Sequence, residues 1–289
     1  MDKCPEPIVK ILDHAAKPIT SIGMPLYRSR YIAWLGLESL CRQTGVPHPW
    51  ELLVAEEQGS NKHKFYGLKR IMAYEKRLKK VGCCKILYIP FDEWLALSYK
   101  WRYLADHTHA SSKYFLMQPG DCFSPPARMR TAIDLFQQDK SDWVHGYKRL
   151  IYNIKNGQVV LFTSQYVKNG EQRTGVDIAV LTELIRQIPM KDRPAIVDSW
   201  VFANCREARG RPKFKLSVDR TDNWKFGLGT YGMNNISGRN KHFRGGHKFF
   251  KKQNRSALND IPRGIIRKLK ELRPLTAGWT LRPWAKKKK

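Results

Sequence analysis

Acidic side chains are scarce in this chain: 25 Asp and Glu stand against 53 Lys and Arg in 289 residues, a formal net charge of +28. A balance this one-sided sets a field that recruits polyanions by counterion release. Cys-x-x-Cys spacing is missing among Cys4, Cys41, Cys83, Cys84, Cys122 and Cys205. That points away from a disulfide framework and predicts free thiols in a reducing cytoplasm. No run approaches the roughly 18 apolar residues of a membrane span, and the start, with Asp2, Pro5, Glu6 and Pro7, has no basic stretch leading into an apolar one. A soluble cytoplasmic protein with no transmembrane segment is expected. There is no internal repeat. Order, by contrast, is well provided for: 42% of residues are hydrophobic and nine are Trp, a composition that excludes a disordered basic chain.

The pattern alternates. Ile19 to Met24 reads as a strand, Arg30 to Gln43 as a helix, and Glu51 to Ala55 as a second buried strand ending in Glu56 and Glu57. Helical segments at Lys69 to Val81 and Glu93 to Asp106 enclose a strand at Lys85 to Ile89, and Lys113 to Met117 supplies another. Such alternation predicts an α/β fold with a mainly parallel central sheet, flanked by helices, and ligands at the carboxyl ends of its strands. Val144 to Tyr152 and Gln158 to Phe162 read as a hairpin around Asn156-Gly157. Asp177 to Ile188 reads as an amphipathic helix capped by Asp177, and Ile261 to Leu272 as a last basic one.

Three segments match one another's company. Pro25-Leu26-Tyr27 follows the first strand, Ser39-Leu40-Cys41-Arg42-Gln43 lies on the first helix, and Glu56-Glu57-Gln58-Gly59-Ser60 closes the next strand. Together they resemble the opening of the family 2 glycosyltransferases, a resemblance that covers roughly residues 18 to 188. It implies a GT-A (Rossmann-like) fold and a nucleotide-sugar donor such as a UDP-sugar, bound by Pro25, Tyr27, Arg28, Glu56, Glu57 and Asp121. The family carries an Asp-x-Asp cluster for Mn²⁺ or Mg²⁺ after a later strand; here that place reads Gln118-Pro119-Gly120-Asp121. Asp121 is the single carboxylate, with His242 or His247 to complete a metal site. Gly175-Val176-Asp177 resembles the family's Gly-Glu-Asp segment, which makes Asp177 the candidate general base of an inverting transfer. Gly227-Leu-Gly229-Thr-Tyr-Gly232 fits a dinucleotide fingerprint but follows no apolar strand, and is read as a loop that closes over the donor phosphates.

The chain divides by charge into a transferase domain, 1–205, and a basic region, 206–289, interleaved with aromatics. From Arg209 onward there are 23 Lys and Arg against four Asp and Glu. Arg239, Lys241, Arg244, Lys248, Lys251, Lys252, Arg255, Lys286, Lys287, Lys288 and Lys289 are its candidate nucleic-acid contacts. The expected acceptor is DNA bearing a hydroxymethylated pyrimidine, as in virus-encoded (phage) DNA-modifying enzymes, with the host cytoplasm as the setting. A transferase acting on polysaccharide or lipid-linked acceptors, and a non-catalytic nucleic-acid-binding protein on a transferase scaffold, are the alternative readings.

Overall fold

A computed structural model describes residues 6–27, 29–57, 65–92, 95–163, 165–166, 172–174, 176–189, 197–231 and 250–276. Its strands are β1 (Ile8–Ile11), β2 (Thr20–Leu26), β3 (Trp50–Glu57), β4 (Cys83–Phe91), β5 (Tyr114–Met117), β6 (Cys122–Phe123), β7 (Trp143–Gly146) and β8 (Lys148–Asn153). They continue as β9 (Val159–Thr163), β10 (Gln165–Tyr166), β11 (Gln172–Thr174), β12 (Val176–Leu181), β13 (Leu216–Asp219), β14 (Leu228–Tyr231) and β15 (Phe250–Gln253). The helices are α1 (Trp34–Leu40), α2 (Leu68–Met72), α3 (Glu75–Lys80), α4 (Leu97–Asp106), α5 (Arg128–Gln138), α6 (Thr182–Ile185), α7 (Val197–Arg209) and α8 (Arg263–Glu271).

An eight-stranded sheet runs β1-β4-β3-β2-β5-β12-β7-β13. β4, β3, β2 and β5 are mutually parallel, so their carboxyl ends share one edge, and β12 is reversed between β5 and β7. Every residue of β3 is buried, as befits a central strand covered on both faces. Alternation along it feeds two cores: Leu52 and Val54 join a cluster with α1 and α8, while Leu53 and Ala55 face α4, α6 and α7. A five-stranded sheet, β15-β9-β8-β14-β6, lies beside the first. β10 and β11 form a separate pair.

The β8–β9 hairpin turns at Asn156-Gly157 as expected, with Gly157 at φ 73. Other expectations are corrected. The helix expected over Asp177 to Ile188 is strand β12 followed by the short α6. Ile178 and Val180 face one core and Ala179 the other, so a strand buried on both sides imitates helical spacing. Asp177 is therefore not a helix cap. The strand expected over Val144 to Tyr152 breaks at Tyr147, β7 joining the large sheet and β8 the small one. The expected glycine-rich loop contains β14, whose Leu228–Thr230 are buried between β8 and β6; Gly232 lies outside the described residues. The division at 205/206 falls inside α7, and beyond it β13, β14, β15 and α8 build both sheets and the core. Cys41, Cys83, Cys84, Cys122 and Cys205 are free thiols; Cys4 lies outside the described residues. No helix among the described residues is long and apolar enough to cross a membrane.

Candidate active site

The shared carboxyl edge of β2, β3 and β5 gathers most of the acids singled out above. Glu56 and Glu57 end β3 and face opposite ways. Glu56 accepts the Tyr66 amide at 2.6 Å, the Gly67 amide at 2.9 Å and the Tyr88 hydroxyl at 3.0 Å. Burial raises its pKa above the usual carboxylate range, against those hydrogen bonds, and both oxygens are spent on the chain's own loop. Glu57 instead pairs with Lys100 of α4 at 2.5 Å and accepts the Leu95 amide at 3.0 Å. The Lys100 ammonium also donates to the Leu26 carbonyl at 3.1 Å and sits 5.6 Å from the Tyr27 ring centre. Burial lowers the Lys100 pKa, with Glu57 opposing. Glu57, Lys100, Tyr27 and the end of β2 thus form one knot, with Pro25 half-buried just before it. Arg28 lies outside the described residues.

The loop after β5 is fixed from three sides. Its Gln118 donates to the carbonyls of Pro119 and Cys122 at 3.0 and 2.9 Å, and accepts from Ser124 and Arg128 at 2.9 and 2.7 Å. From α1, Ser39 accepts the Ser124 amide at 3.0 Å, and Gln43 donates to the Pro125 carbonyl at 2.9 Å while accepting the Met129 amide at 3.0 Å. The Ser and Gln of the Ser-Leu-x-x-Gln pattern therefore grip the acid-bearing loop. Close approach does the rest: the Gly36 amide donates to the Gly120 carbonyl at 3.0 Å, and a Cβ on Gly36 would meet the Pro119 carbonyl oxygen at 3.0 Å. Asp121 follows, its carbonyl accepting the Thr230 amide at 3.2 Å and hydroxyl at 2.9 Å from β14.

Asp177, at φ 51 in β12, holds the centre of a buried polar cluster. One of its oxygens, Oδ1, takes the Ser124 hydroxyl at 2.9 Å, a charge-assisted bond from Arg149 of β8, and Arg128 Nε at 3.3 Å. The Arg128 contact is an ion pair without hydrogen-bond geometry. Arg128 Nη2 donates to the Met117 and Ile178 carbonyls at 2.6 and 3.1 Å, and its Nη1 to Gln118 and Ser124. Burial lowers its pKa to about 10, with Asp177 opposing; for Arg149 burial also acts downward most strongly, but Asp177, Cys122 and Asp121 together outweigh it and the pKa is raised. Arg149 reaches the Cys122 sulfur at 3.2 Å, and that thiol lies 3.5 Å from the Asp121 carboxylate. Asp177 thus pairs directly with the buried Arg149 guanidinium, and Asp121 is linked to it through the Cys122 thiol. Beside Asp177 opens a small cleft of about 20 Å³, lined also by Pro125, Tyr147, Lys148, Asp219 and Trp224. Lys148 stands 5.5 Å from the Trp224 ring centre, and Arg220 5.0 Å from that of Tyr147, a cationic and aromatic rim.

No protein-family pattern matches the chain, and no curated protein sequence does. Among solved structures, residues 1–349 of TarS from S. aureus in complex with UDP align at a TM-score of 0.52 and 13% identity, over 73% of this chain and 60% of that one. The same TarS segment crystallised on its own gives 0.51 and 12% over the same shares. The fold is GT-A. A mannosyltransferase from Pyrobaculum calidifontis, in complex with GDP-Man and Mn²⁺, aligns at 0.49 and 12% over 91% of this chain and 73% of that one. The chain spans about three fifths of the TarS segment it matches.

In this GT-A edge the structure links Tyr27 to Glu57 through Lys100, links Asp121 to Asp177 through Cys122 and Arg149, and turns Glu56 inward. Among the described residues no three His, Cys, Asp or Glu side chains gather as metal ligands, and Asp121 is the one carboxylate of the expected metal set. His242, His247, Arg239, Lys241, Arg244, Lys248, Lys286, Lys287, Lys288 and Lys289 lie outside the described residues. Lys251 and Lys252 fall in β15, and Arg255 begins a short 3₁₀ turn at an exposed position. Lys100, Arg128 and Arg149 were not singled out from the sequence. In a chain with 53 basic residues, three buried ones carry no compositional signal.

Proposed function

We propose that this protein transfers a sugar from a nucleotide-sugar to an acceptor hydroxyl by inverting displacement. The observation that carries the reading is the pairing of Asp177 with Arg149, which also reaches the Cys122 thiol beside Asp121, at the carboxyl edge of a GT-A sheet. The UDP held by the TarS segment supports a nucleoside diphosphate as leaving group. Tyr27, Glu57 and Asp121 then line the donor side. Asp177, whose contacts among the described residues converge on Oδ1, has Oδ2 left to take the acceptor's proton. As the acceptor oxygen bonds to the anomeric carbon, the bond from that carbon to the diphosphate breaks, and the nucleoside diphosphate departs with the electron pair. Arg149, fixed beforehand by Asp177, offsets negative charge beside the reacting centre. A single carboxylate together with donor phosphates is a sufficient ligand set for Mg²⁺ or Mn²⁺. Asp121 would hold such an ion, which supplies positive charge to the diphosphate when bound.

For the acceptor we favour hydroxymethylated pyrimidine in DNA. The net charge of +28 and the rim of Lys148, Arg220, Tyr147 and Trp224 beside Asp177 support a polyanion that presents a flat ring. The test is incubation of UDP- and GDP-sugars with Mn²⁺ or Mg²⁺ and plain or hydroxymethylated DNA, followed by mass analysis of the digested nucleosides. One added sugar on the modified base, absent in Asp177→Asn, is the expected result. Nucleotide release with no labelled base would move the acceptor to another class, and DNA binding with neither release nor transfer would leave a non-catalytic scaffold.

A further inference from the structure

At the far end of β8 from Arg149, three residues on at Tyr152, the small sheet and α8 enclose a second cavity of about 620 Å³. Arg255, Arg263, Arg267, Lys270 and Arg273 stand around it, and no carboxylate lines it among the described residues. Three of these cations fall at positions 263, 267 and 270, one stripe of α8 at helical spacing. The opposite face of that helix, with Ile265 and Leu269, is sunk in the core. Arg255, Arg263, Arg267 and Lys270 make no ion pair among the described residues, so their charge is not offset there. Arg273 is tied to the hairpin turn by a hydrogen bond to the Ile154 carbonyl at 3.3 Å.

The wall of the cavity carries a second, independent sign. Tyr152 is 2% exposed, and its hydroxyl has no hydrogen-bond partner among the described residues, although a buried orphan hydroxyl is costly. Next to it Gly157, at φ 73, lets the Arg273 guanidinium come close: a Cβ there would sit 2.7 Å from an Arg273 nitrogen and 3.6 Å from the Tyr152 oxygen. Donors thus surround an opening of small-ligand size.

We infer that this cavity binds a phosphate group, with the Tyr152 hydroxyl donating to one oxygen and the α8 cations neutralising the charge. The site is separate from the transfer edge and does not rest on the transferase reading. The phosphate comes either from a free small molecule or from a phosphodiester strand, and two probes distinguish the sources. Calorimetric titrations of the full chain use inorganic pyrophosphate and an oligothymidylate of eight nucleotides. Against the parent, the Arg263→Gln/Arg267→Gln variant should weaken at least one probe by about tenfold or more, since two charge-assisted donors are lost. Loss for pyrophosphate identifies a free phosphate, and loss for the oligonucleotide alone identifies a strand. Tyr152→Phe should weaken the same probe about threefold or more while leaving the Tm unchanged or higher, because the hydroxyl it removes is unpaired before binding. The proposal is overturned if both probes keep the parent Kd in the double variant. It is equally overturned if Lys79→Gln/Lys80→Gln, on exposed positions of α3, produces the same loss, or if Tyr152→Phe lowers the Tm and leaves both affinities intact.

Discussion

Replacing Asp177 by Asn separates the charge compensation seen for this side chain from the proton transfer proposed for it. The carboxylate is 10% exposed, and its partners Arg128 and Arg149 are 4% and 7% exposed. Asn preserves shape and tolerates the left-handed φ of 51, so backbone strain does not enter. What changes is charge: two guanidiniums stay buried without their anion. Breaking a buried pair from one side costs about 3–5 kcal/mol. Arg128 retains Gln118, Ser124 and two backbone carbonyls, so most of the loss falls on Arg149. Urea unfolding at neutral pH should show a lower midpoint at an unchanged slope. Arg149→Met in the Asp177→Asn background should recover part of the loss, with a coupling on the order of 2 kcal/mol in the double-mutant cycle. Unfolding of Asp177→Asn at the parent midpoint, with no coupling to Arg149, would refute the assignment of charge compensation. Activity lost together with that result would leave Asp177 a role in chemistry alone.

Two further outcomes follow from packing and burial. Gly120→Ala would place a Cβ 2.5 Å from the buried Leu26 Cδ2 and so displace the loop before Asp121; UDP affinity by calorimetry should fall about tenfold or more, whereas Gly264→Ala, with open space around its Cβ, should leave it unchanged. Buried His145 of β7 has its pKa lowered from 6.5 to about 3, by desolvation first and Arg220 second. Between those two values the unfolded chain binds a proton that the folded chain does not, so stability is lost as pH falls, by up to about 1.4 kcal/mol per pH unit. Unfolding midpoints measured from pH 7 to pH 4 should show a shallower acid slope in His145→Gln, and an unchanged slope would refute the assignment.

Local spacing made part of this molecule readable. The strand–helix–strand opening, the Asn156-Gly157 hairpin and the segments holding Tyr27, Ser39, Gln43, Glu57 and Asp121 lie within short stretches whose patterns survive folding. Asp177 was singled out from the sequence, but as a helix start and not as a strand residue, because Ile178-Ala-Val-Leu181 is apolar to both sides. Lys100, Arg128 and Arg149 were hidden for another reason: burial, not residue type, makes them special, and burial depends on contacts with distant residues. The same holds for the region after 205, where charge obscured short strands such as Leu216–Asp219 and Leu228–Tyr231.

The pairing of β14 with β6 also bears on how the molecule is made. Thr230 clasps the carbonyl of Asp121 from 109 residues further along the chain. At ordinary elongation of about 5–20 residues per second, a growing chain carries that acid-bearing loop without its sheet partner for about 5–20 seconds. Through that interval β6 shows an unpaired edge to the crowded exit of the ribosome, where such edges invite mispairing. Synthesis speed and chaperone supply therefore act on this sheet edge before any ligand does.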